Sequence, residues 1–557
     1  LTRSDSNEYL APLGHLPTGR FSFVRASVTR PRADVLECRD AECRTARGSS
    51  EGRGPNDEGR EGLMSSRPVT LVATLADLTA EALSTARDEA LRAADLVEFR
   101  LDRLPALPLG DILGDTAPRA IVTLRPVREG GAFTGPDAER ETVLRAALAQ
   151  GAAFVDIEWD AAFGDAVIAA FPGRVVLSRH DFAGMPADLG AVVRELAARQ
   201  PAVVKLAVTP TRLSDQLGFA RVAAASPGLP VVLIAMGAVG LPSRLLAERF
   251  GSSWTYGGAA IAPGQVRPDV MRARYRVGQH TPSTEVFGVA GRPISHSWSP
   301  TLHNAALQSL GIDGVYVPLE AQDIDDLLTM ADALGVRGLS VTAPFKLDAL
   351  ARAVSADDLA TRLGAANTLT RTAAGWVARN TDVEGFLHPL RSRHPLAGAR
   401  VAVLGGGGAA RAVVAGLHAE GARVTVHARR PEQAASLVPL GAVAGEWPPA
   451  AGSWDVLVNT TPVGTAPRTE DTPIEARLLA GGRLVYDLVY NPGQTRLLRE
   501  AAAAGCATLG GLDMLIAQAA VQVATWFPVD PPVDAMRAAI HAEAPDLALV
   551  PETPCPR

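Results

Sequence analysis

The 557-residue chain contains two lysines, Lys205 and Lys346, and the other 52 of its 54 basic residues (54 − 2) are arginine. Arginine keeps its proton in a protein, so it can replace a lysine wherever only a charge is wanted. It cannot replace an amine that must lose its proton. A lone buried lysine is more often ion-paired than reactive, yet two survivors in a chain otherwise purged of lysine point to amine chemistry. Lys205 sits at the centre of the apolar run Val203-Val204-Lys205-Leu206-Ala207-Val208. Burial and neighbouring arginines both lower the pKa of an amine. A fall from about 10.4 to about 8 raises the neutral fraction at pH 7 from roughly one in a few thousand to about one in ten. A neutral amine attacks a ketone to form an iminium, an electron sink that acidifies the adjacent C–H. His180, the only histidine between His15 and His280, lies in the preceding run and can move the protons. Neighbouring strands would bring it roughly 5 Å from Lys205.

The elements that must position these groups follow from the pattern. Charged residues make up 20% of the chain and hydrophobics 47%, with a net charge of −6, which leaves no basic footprint for nucleic acid. The apolar stretch Gly228 to Pro242 is interrupted and too short to span a bilayer. Cys38, Cys43, Cys506 and Cys555 form no disulfide framework, and Cys38 with Cys43 lacks further zinc ligands, so a cytoplasmic protein without a metal is expected. Residues 1–64 are polar and aperiodic and are expected to be a disordered extension, with Met64 a natural start.

From Val69 short apolar runs alternate with helical stretches. The runs are Val69–Thr74, Leu96–Arg100, Ala120–Arg125, Phe154–Trp159, Arg174–His180, Ala202–Thr209, Val231–Met236 and Trp254–Gly257. Between them, Asp188–Arg199 places Leu189, Val192, Val193, Leu196 and Ala197 on one helix face. Eight such pairs predict a (β/α)8 barrel over residues 65–280. The alternative is an open doubly wound sheet. Polar residues at the run ends (Glu98, Arg100, Arg125, Glu158, His180, Lys205) favour the barrel, whose mouth gathers them. Arg100, Arg125 and Arg244 would hold an anionic substrate.

Four motifs in order, Val97-Glu98-Phe99-Arg100-Leu101-Asp102, Ser178-Arg179-His180-Asp181-Phe182, Val204-Lys205-Leu206-Ala207-Val208 and Ala262-Pro263-Gly264-Gln265, resemble type I 3-dehydroquinate dehydratase. The resemblance implies a Schiff base at Lys205, His180 as general acid and base, and substrate contacts at Glu98, Arg100, Arg125, Arg244 and Gln265, with Thr74 a further candidate. The family usually has serine where this chain has Ile261.

A linker, Val277 to Thr284, leads to a strand over Glu285–Ala290 and the loop Pro293-Ile294-Ser295-His296-Ser297-Trp298-Ser299-Pro300. Ser299 is expected to cap the helix opened by Pro300, while Ser295 and Ser297 could grip a carboxylate. Gly338 to Lys346 reads as a strand running into the second lysine. Asn367 and Asp382 lie on a hairpin. Arg400–Leu404 then runs into Gly405-Gly406-Gly407-Gly408-Ala409-Ala410, a Gly-x-Gly-x-x-Ala turn opening a helix, which suits a dinucleotide pyrophosphate. The next strand, Arg423–His427, ends in Arg429 and Arg430 where a ribose-binding acid would stand, which favours NADP over NAD.

Residues 285–545 resemble shikimate dehydrogenase through Ser295-His296-Ser297, Ser340 to Lys346, Ala366-Asn367-Thr368, Asn380-Thr381-Asp382, the glycine turn, Asn459 to Gly464, Asp487 to Tyr490 and Leu515 to Ala520. The resemblance implies Lys346 and Asp382 as the catalytic pair. It implies shikimate contacts at Ser295, Ser297, Thr342, Asn367, Tyr490 and Gln518, and a nicotinamide flanked by Leu488 and Gly511. Family NADP sites often carry a second basic residue where Gln433 stands here. The expected organisation is a substrate domain over 285–396 completed by 511–545, a Rossmann NADP-binding domain over 397–510 and a tail over 546–557.

The two lysines thus match the catalytic lysines of two consecutive reactions. The reading is a bifunctional α/β enzyme that dehydrates 3-dehydroquinate and then reduces 3-dehydroshikimate to shikimate with NADPH, as a monomer or homodimer. One rival is a catalytically dead regulator of the quinate pathway, against which Lys205, His180, Lys346 and Asp382 are all present. The other is a catabolic quinate dehydrogenase, against which Ser295 and Ser297 are retained.

Overall fold

The computed structural model describes residues 68–259 and 264–548. The expected extension, Met64, Ile261 with the two residues after it, and residues 549–557 of the tail lie outside them. All eight apolar runs are strands: β1 (Thr70–Leu75), β2 (Leu96–Arg100), β3 (Ala120–Thr123), β4 (Phe154–Glu158), β5 (Val175–Asp181), β6 (Val203–Val208), β7 (Val231–Ala235) and β8 (Trp254–Gly258). They form one parallel sheet in the order β7-β6-β5-β4-β3-β2-β1-β8. The seam between β8 and β7 is approached by Ser253 N–H, which donates to Val231 O at 2.7 Å.

Strand alternation builds two cores from one sheet. Val72, Ile121, Val176, Val203, Val232 and Tyr256 pack inside the barrel, whereas Leu71, Val122, Leu177, Val204 and Leu233 pack outward against the helices. Lys205 shares its face with Val203 and Ala207, so it points inward. Of the outer helices, Leu189–Ala197 begins at the cap Asp188, whose carboxylate accepts from Ala191 N at 2.8 Å, and buries Val192, Val193 and Leu196.

The linker is a clamp rather than a free tether. His280, 1% exposed at its side chain, donates from Nε2 to Tyr275 O at 2.7 Å and sets Nδ1 2.7 Å from Glu248. Thr281, Ser283 and Thr284 hydroxyls all donate to the Asp313 carboxylate. A second junction lies after β6. There the buried Asp326 accepts from the backbone N–H groups of Leu213 and Ser214, each at 2.9 Å, and Arg212 pairs with Asp323 at 3.0 Å.

Beyond the linker, β9 (Glu285–Gly291), β10 (Gly314–Glu320), β11 (Val336–Val341), β12 (Ser355–Ala356), β13 (Thr368–Thr372) and β14 (Gly375–Arg379) form a sheet in the order β10-β9-β11-β13-β14-β12. The β13–β14 pair is the expected antiparallel hairpin, but Asn367 stands just before it and Asp382 opens the helix Asp382–Arg391 after it. A third sheet contains β15 (Arg400–Leu404), β16 (Arg423–His427), β17 (Ala442–Gly445), β18 (Val456–Asn459), β19 (Leu484–Asp487) and β20 (Ala507–Gly510). It is wholly parallel, in the order β17-β16-β15-β18-β19-β20, the 3-2-1-4-5-6 winding of a Rossmann sheet. The helix Gly511–Trp526 then returns to the second sheet, where Gln522 Nε2 donates to Asn367 O and Thr368 Oγ1.

Ser299 is not the helix cap. It is the first residue of the helix Ser299–Ser309, and its N–H donates to Ser297 Oγ at 3.3 Å. The helix begins one residue early because Trp298 already has helical backbone angles.

Candidate active sites

Inside the barrel, six charged side chains alternate in sign. Lys205 Nζ donates to Asp156 Oδ2 at 2.9 Å and lies 3.7 Å from Glu98 Oε1. Arg125 reaches the same Asp156 oxygen at 3.0 Å, Glu158 at 2.7 Å and Ser178 Oγ at 2.8 Å. Arg140, from the helix Asp137–Ala149, contacts the other Glu158 oxygen. Three cations and three carboxylates are thereby buried together, each ion beside an opposite one, as burial demands. Burial alone would raise the Asp156 carboxyl, but the charges of Arg125 and Lys205 hold it well below the usual carboxylate range. The like-charge surroundings expected for Lys205 are therefore incomplete, since two carboxylates lie against its amine.

Glu98 is fixed by the hydroxyls of Thr74 at 2.8 Å and Thr123 at 2.9 Å. His180 stands one step further toward the mouth. Its register partner on β6 is Ala207, while Lys205 pairs with Ser178. One carboxylate oxygen of Glu129 accepts from the His180 backbone N–H at 2.9 Å and lies 3.0 Å from Nδ1. With Nδ1–H donating there, Nε2 carries the free lone pair. Burial first, then the charges of Arg125 and Lys205, press the imidazole well below its ordinary pKa of 6.5, which keeps it a base.

Arg100 is held bidentate by Asp102 at 2.8 and 2.9 Å. Arg244 is 2% exposed, donates from Nη1 to Tyr256 O at 3.1 Å, and is lowered to about 10 by burial. A methyl group on Gly258 would meet Gln265 Oε1 at 2.9 Å, so this side chain lies over the end of β8. Asp156, Glu129, Ser178 and Tyr256 belong to the centre although the sequence did not single them out for it.

The second lysine stands on a cavity of ≈ 440 Å³ between the second and third sheets. Lys346, the first residue of the helix Lys346–Arg352, donates from Nζ to Asp382 Oδ2 at 2.6 Å. Asn367 Nδ2 donates to the other oxygen of Asp382 at 2.8 Å. The walls include Ser297, Thr342, Asn367, Leu488, Tyr490, Gly511 and Gln518, together with Ser299, Ser340 and Gln522, which the sequence did not suggest as contacts. Ser295 is exposed and is not part of the lining. Asp487 fixes the segment carrying Leu488 and Tyr490 by accepting from Asn459 at 2.9 Å, Thr495 at 2.6 Å and Val489 N at 3.1 Å, and burial pushes its carboxyl up to about 6.

The glycine turn fits a dinucleotide. Gly405 has φ +102°, and a methyl group on Gly406 would strike Gln433 Cβ at 2.7 Å. Methyl groups on Gly407 and Gly408 would meet nothing within 4 Å among the described residues, which leaves the backbone bare at the start of the helix Gly408–Ala419. Ala409 lines the neighbouring cavity. Arg429 and Arg430 follow β16, both exposed, and neither guanidinium has a partner among the described residues. A methyl group on Gly511 would sit 2.3 Å from Leu488 O, so these two residues form one surface.

A parallel barrel with a buried amine, joined to a Rossmann sheet beside a lysine–aspartate pair, makes a fused lyase and NADP-dependent oxidoreductase. Residues 71–282 match the family described as type I 3-dehydroquinase. Residues 289–369 match the shikimate dehydrogenase substrate-binding domain, and 511–541 the shikimate 5'-dehydrogenase C-terminal domain. The chain is 34% identical over 465 residues to the chloroplastic bifunctional 3-dehydroquinate dehydratase/shikimate dehydrogenase of Arabidopsis thaliana, covering 76% of each chain. It is 38% identical to the shikimate dehydrogenase (NADP(+)) of Synechocystis, over 47% of this chain and 96% of that one. A solved shikimate 5-dehydrogenase from Thermus thermophilus, in complex with NADP(H) and shikimate, is 35% identical over 46% of this chain and 99% of its own, with a TM-score of 0.44. The chain belongs to the bifunctional 3-dehydroquinate dehydratase/shikimate dehydrogenase family.

Proposed function

We propose that the chain carries out two consecutive reactions, dehydrating 3-dehydroquinate in the barrel and reducing the resulting 3-dehydroshikimate to shikimate in the dehydrogenase half. The observation that carries this reading is that both lysines of the chain stand in separately built sites, each against a carboxylate.

In the barrel, the Lys205 amine adds to the substrate ketone, and loss of water gives an iminium. His180, through its free Nε2, takes the proton from the carbon beside the iminium. The enamine then expels the hydroxyl group one carbon further on, His180 returns the proton to it, and hydrolysis frees Lys205. Glu98 is oriented by Thr74 and Thr123 to accept from substrate hydroxyls, while Arg100, Arg244 and Gln265 face its carboxylate. Arg125 is already committed to Asp156, Glu158 and Ser178, and we read it as holding that cluster in register.

In the second half, Ser297, Thr342, Asn367, Tyr490 and Gln518 hold the ring, and Lys346 protonates the nascent alkoxide while Asp382 orients its amine. NADPH, when bound, supplies the hydride. The bare glycine turn Gly405–Ala409 would hold its pyrophosphate, Arg429 with Arg430 its 2'-phosphate, and Leu488 with Gly511 its nicotinamide. We read residues 65–280 as the dehydratase, 285–396 with 511–545 as the substrate domain and 397–510 as the NADP domain. A cytoplasmic homodimer is the proposed working form, tested by sedimentation of the full chain.

The deciding experiment is borohydride reduction in the presence of 3-dehydroshikimate, with the adduct located by mass spectrometry, alongside NADPH oxidation started by 3-dehydroquinate alone. An adduct on Lys205 and NADPH consumption are expected. An adduct on any other residue, or no consumption, overturns the reading.

A further inference from the structure

The third neighbour of Lys205 carries no charge. Its Nζ lies 4.1 Å from the centre of the Tyr256 ring. Tyr256 is 2% exposed, projects from β8 into the barrel, and its hydroxyl has no hydrogen-bond partner among the described residues. The residue is therefore held by packing and by its backbone carbonyl, which accepts from Arg244. The ring face, not the hydroxyl, is what meets the amine.

An ammonium has three N–H donors. One reaches Asp156 at 2.9 Å and the charge also faces Glu98 at 3.7 Å. Condensation changes that inventory. The neutral amine adds to the ketone carbon, a C–N bond forms, and a proton moves to the oxygen. The proton that the ammonium released to become the neutral amine then returns to the hydroxyl, the C–O bond breaks, water leaves, and the nitrogen becomes a trigonal iminium with the charge restored but a single N–H. Two of three donors are gone, so the one that remains can serve Asp156 or the substrate but leaves Glu98 with no N–H to accept, and the charge must be met in other ways. Attraction to an aromatic face requires the charge and no donor at all.

We propose that the ring face of Tyr256 is a catalytic element of the Schiff-base steps. It holds the cationic nitrogen through the iminium stage and favours that state over the neutral carbinolamine before it and the neutral enamine after it. This rests on the assignment of Lys205 as the Schiff-base residue.

The test uses the full chain with Tyr256→Phe, Tyr256→Leu and a series of phenylalanines at position 256 bearing one, two or three ring fluorines. Fluorination keeps the volume of the ring while draining negative potential from its face. Two quantities are read: the fraction trapped on Lys205 by borohydride at fixed 3-dehydroshikimate, and kcat for dehydration. Shikimate oxidation by the other half checks that the chain is intact. Tyr256→Phe keeps the ring and is the parent of the fluorine series, against which each fluorinated variant is compared. Tyr256→Leu should lower both quantities about 2- to 30-fold, and the fluorine series should fall stepwise. If the leucine variant misfolds, the fluorine series decides alone. A flat series, with trapping on Lys205 preserved, overturns the inference and leaves the Lys205 assignment standing. Absence of an adduct on Lys205 in the wild-type chain sinks both.

Discussion

The two lysines occupy opposite kinds of site. Lys205 is 6% exposed at its side chain and sits inside a closed set of balanced charges, whereas Lys346 is 24% exposed and rests on a single carboxylate at the wall of an open cavity. The chemistry proposed for each explains the difference. An amine that becomes covalently bound must be sheltered from water and must have its charge balanced at every stage. An amine that only lends a proton needs an anion to orient it and a route by which the proton is replaced.

Replacing each lysine with arginine breaks the comparison most sharply. Lys205→Arg should abolish dehydration, because a guanidinium cannot form the iminium, while shikimate oxidation stays within about twofold. Lys346→Arg keeps the charge and a donor, so it should lower shikimate oxidation only about 10- to 100-fold, with dehydration untouched. Equal losses at the two sites, measured as kcat, would refute the distinction between them.

The next largest effect concerns the open half. Removing the charge-assisted bond proposed for Arg429 should cost roughly 10- to 150-fold in kcat/KM for NADPH. NADH lacks the phosphate, so Arg429→Ala should leave its turnover nearly unchanged, and an unaltered NADPH-to-NADH ratio would count against the assignment.

Acidity separates the sites more gently. His180 acts as a base above its pKa, and burial with Arg125 and Lys205 moves that pKa downward from 6.5. The acid limb of the kcat/KM profile for dehydration should therefore lie below pH 6.5. A limb at or above 6.5 would mean that the imidazole is solvated in the working enzyme.

The smallest effect is at the loop serines. Ser297 lines the cavity and Ser295 does not. Ser297→Ala should raise the KM for shikimate several-fold, about what one lost hydrogen bond contributes, and Ser295→Ala less than twofold. A larger effect at Ser295 would show that the loop closes on the substrate.

Much of this was legible in the sequence because the barrel announces itself through contrast. Apolar runs that end in Arg100, Arg125 or His180, or contain Glu98 or Lys205, break the rule that strand interiors are apolar, and they break it toward one end of the sheet. Asp156 obeyed the same pattern. Within Phe154-Val155-Asp156-Ile157-Glu158 it shares the inward face with Glu158, and period-two counting could have found it. Glu129 left no such trace. It sits in a turn after β3, 51 residues from the histidine it orients, and only the folded barrel brings the two together. The serine loop shows a related limit, since residue type does not tell which of its hydroxyls line the cavity, and Ser297 and Ser299 do. Tyr256 read as one more aromatic in an apolar strand, and its distance to Nζ is a property of barrel closure.

The junction at Asp326 bears on how the chain would respond to being cut. Its carboxylate grips two consecutive backbone amides of the barrel, and Arg212 with Asp323, Arg274 with Glu543 and Gln308 with Ala273 O add further ties across the same boundary. None of these depends on the peptide bonds between residues 278 and 284. Severed there, the two fragments should stay together as a nicked complex. The halves made as separate chains should then assemble the same particle, which co-elution of the mixed fragments would check.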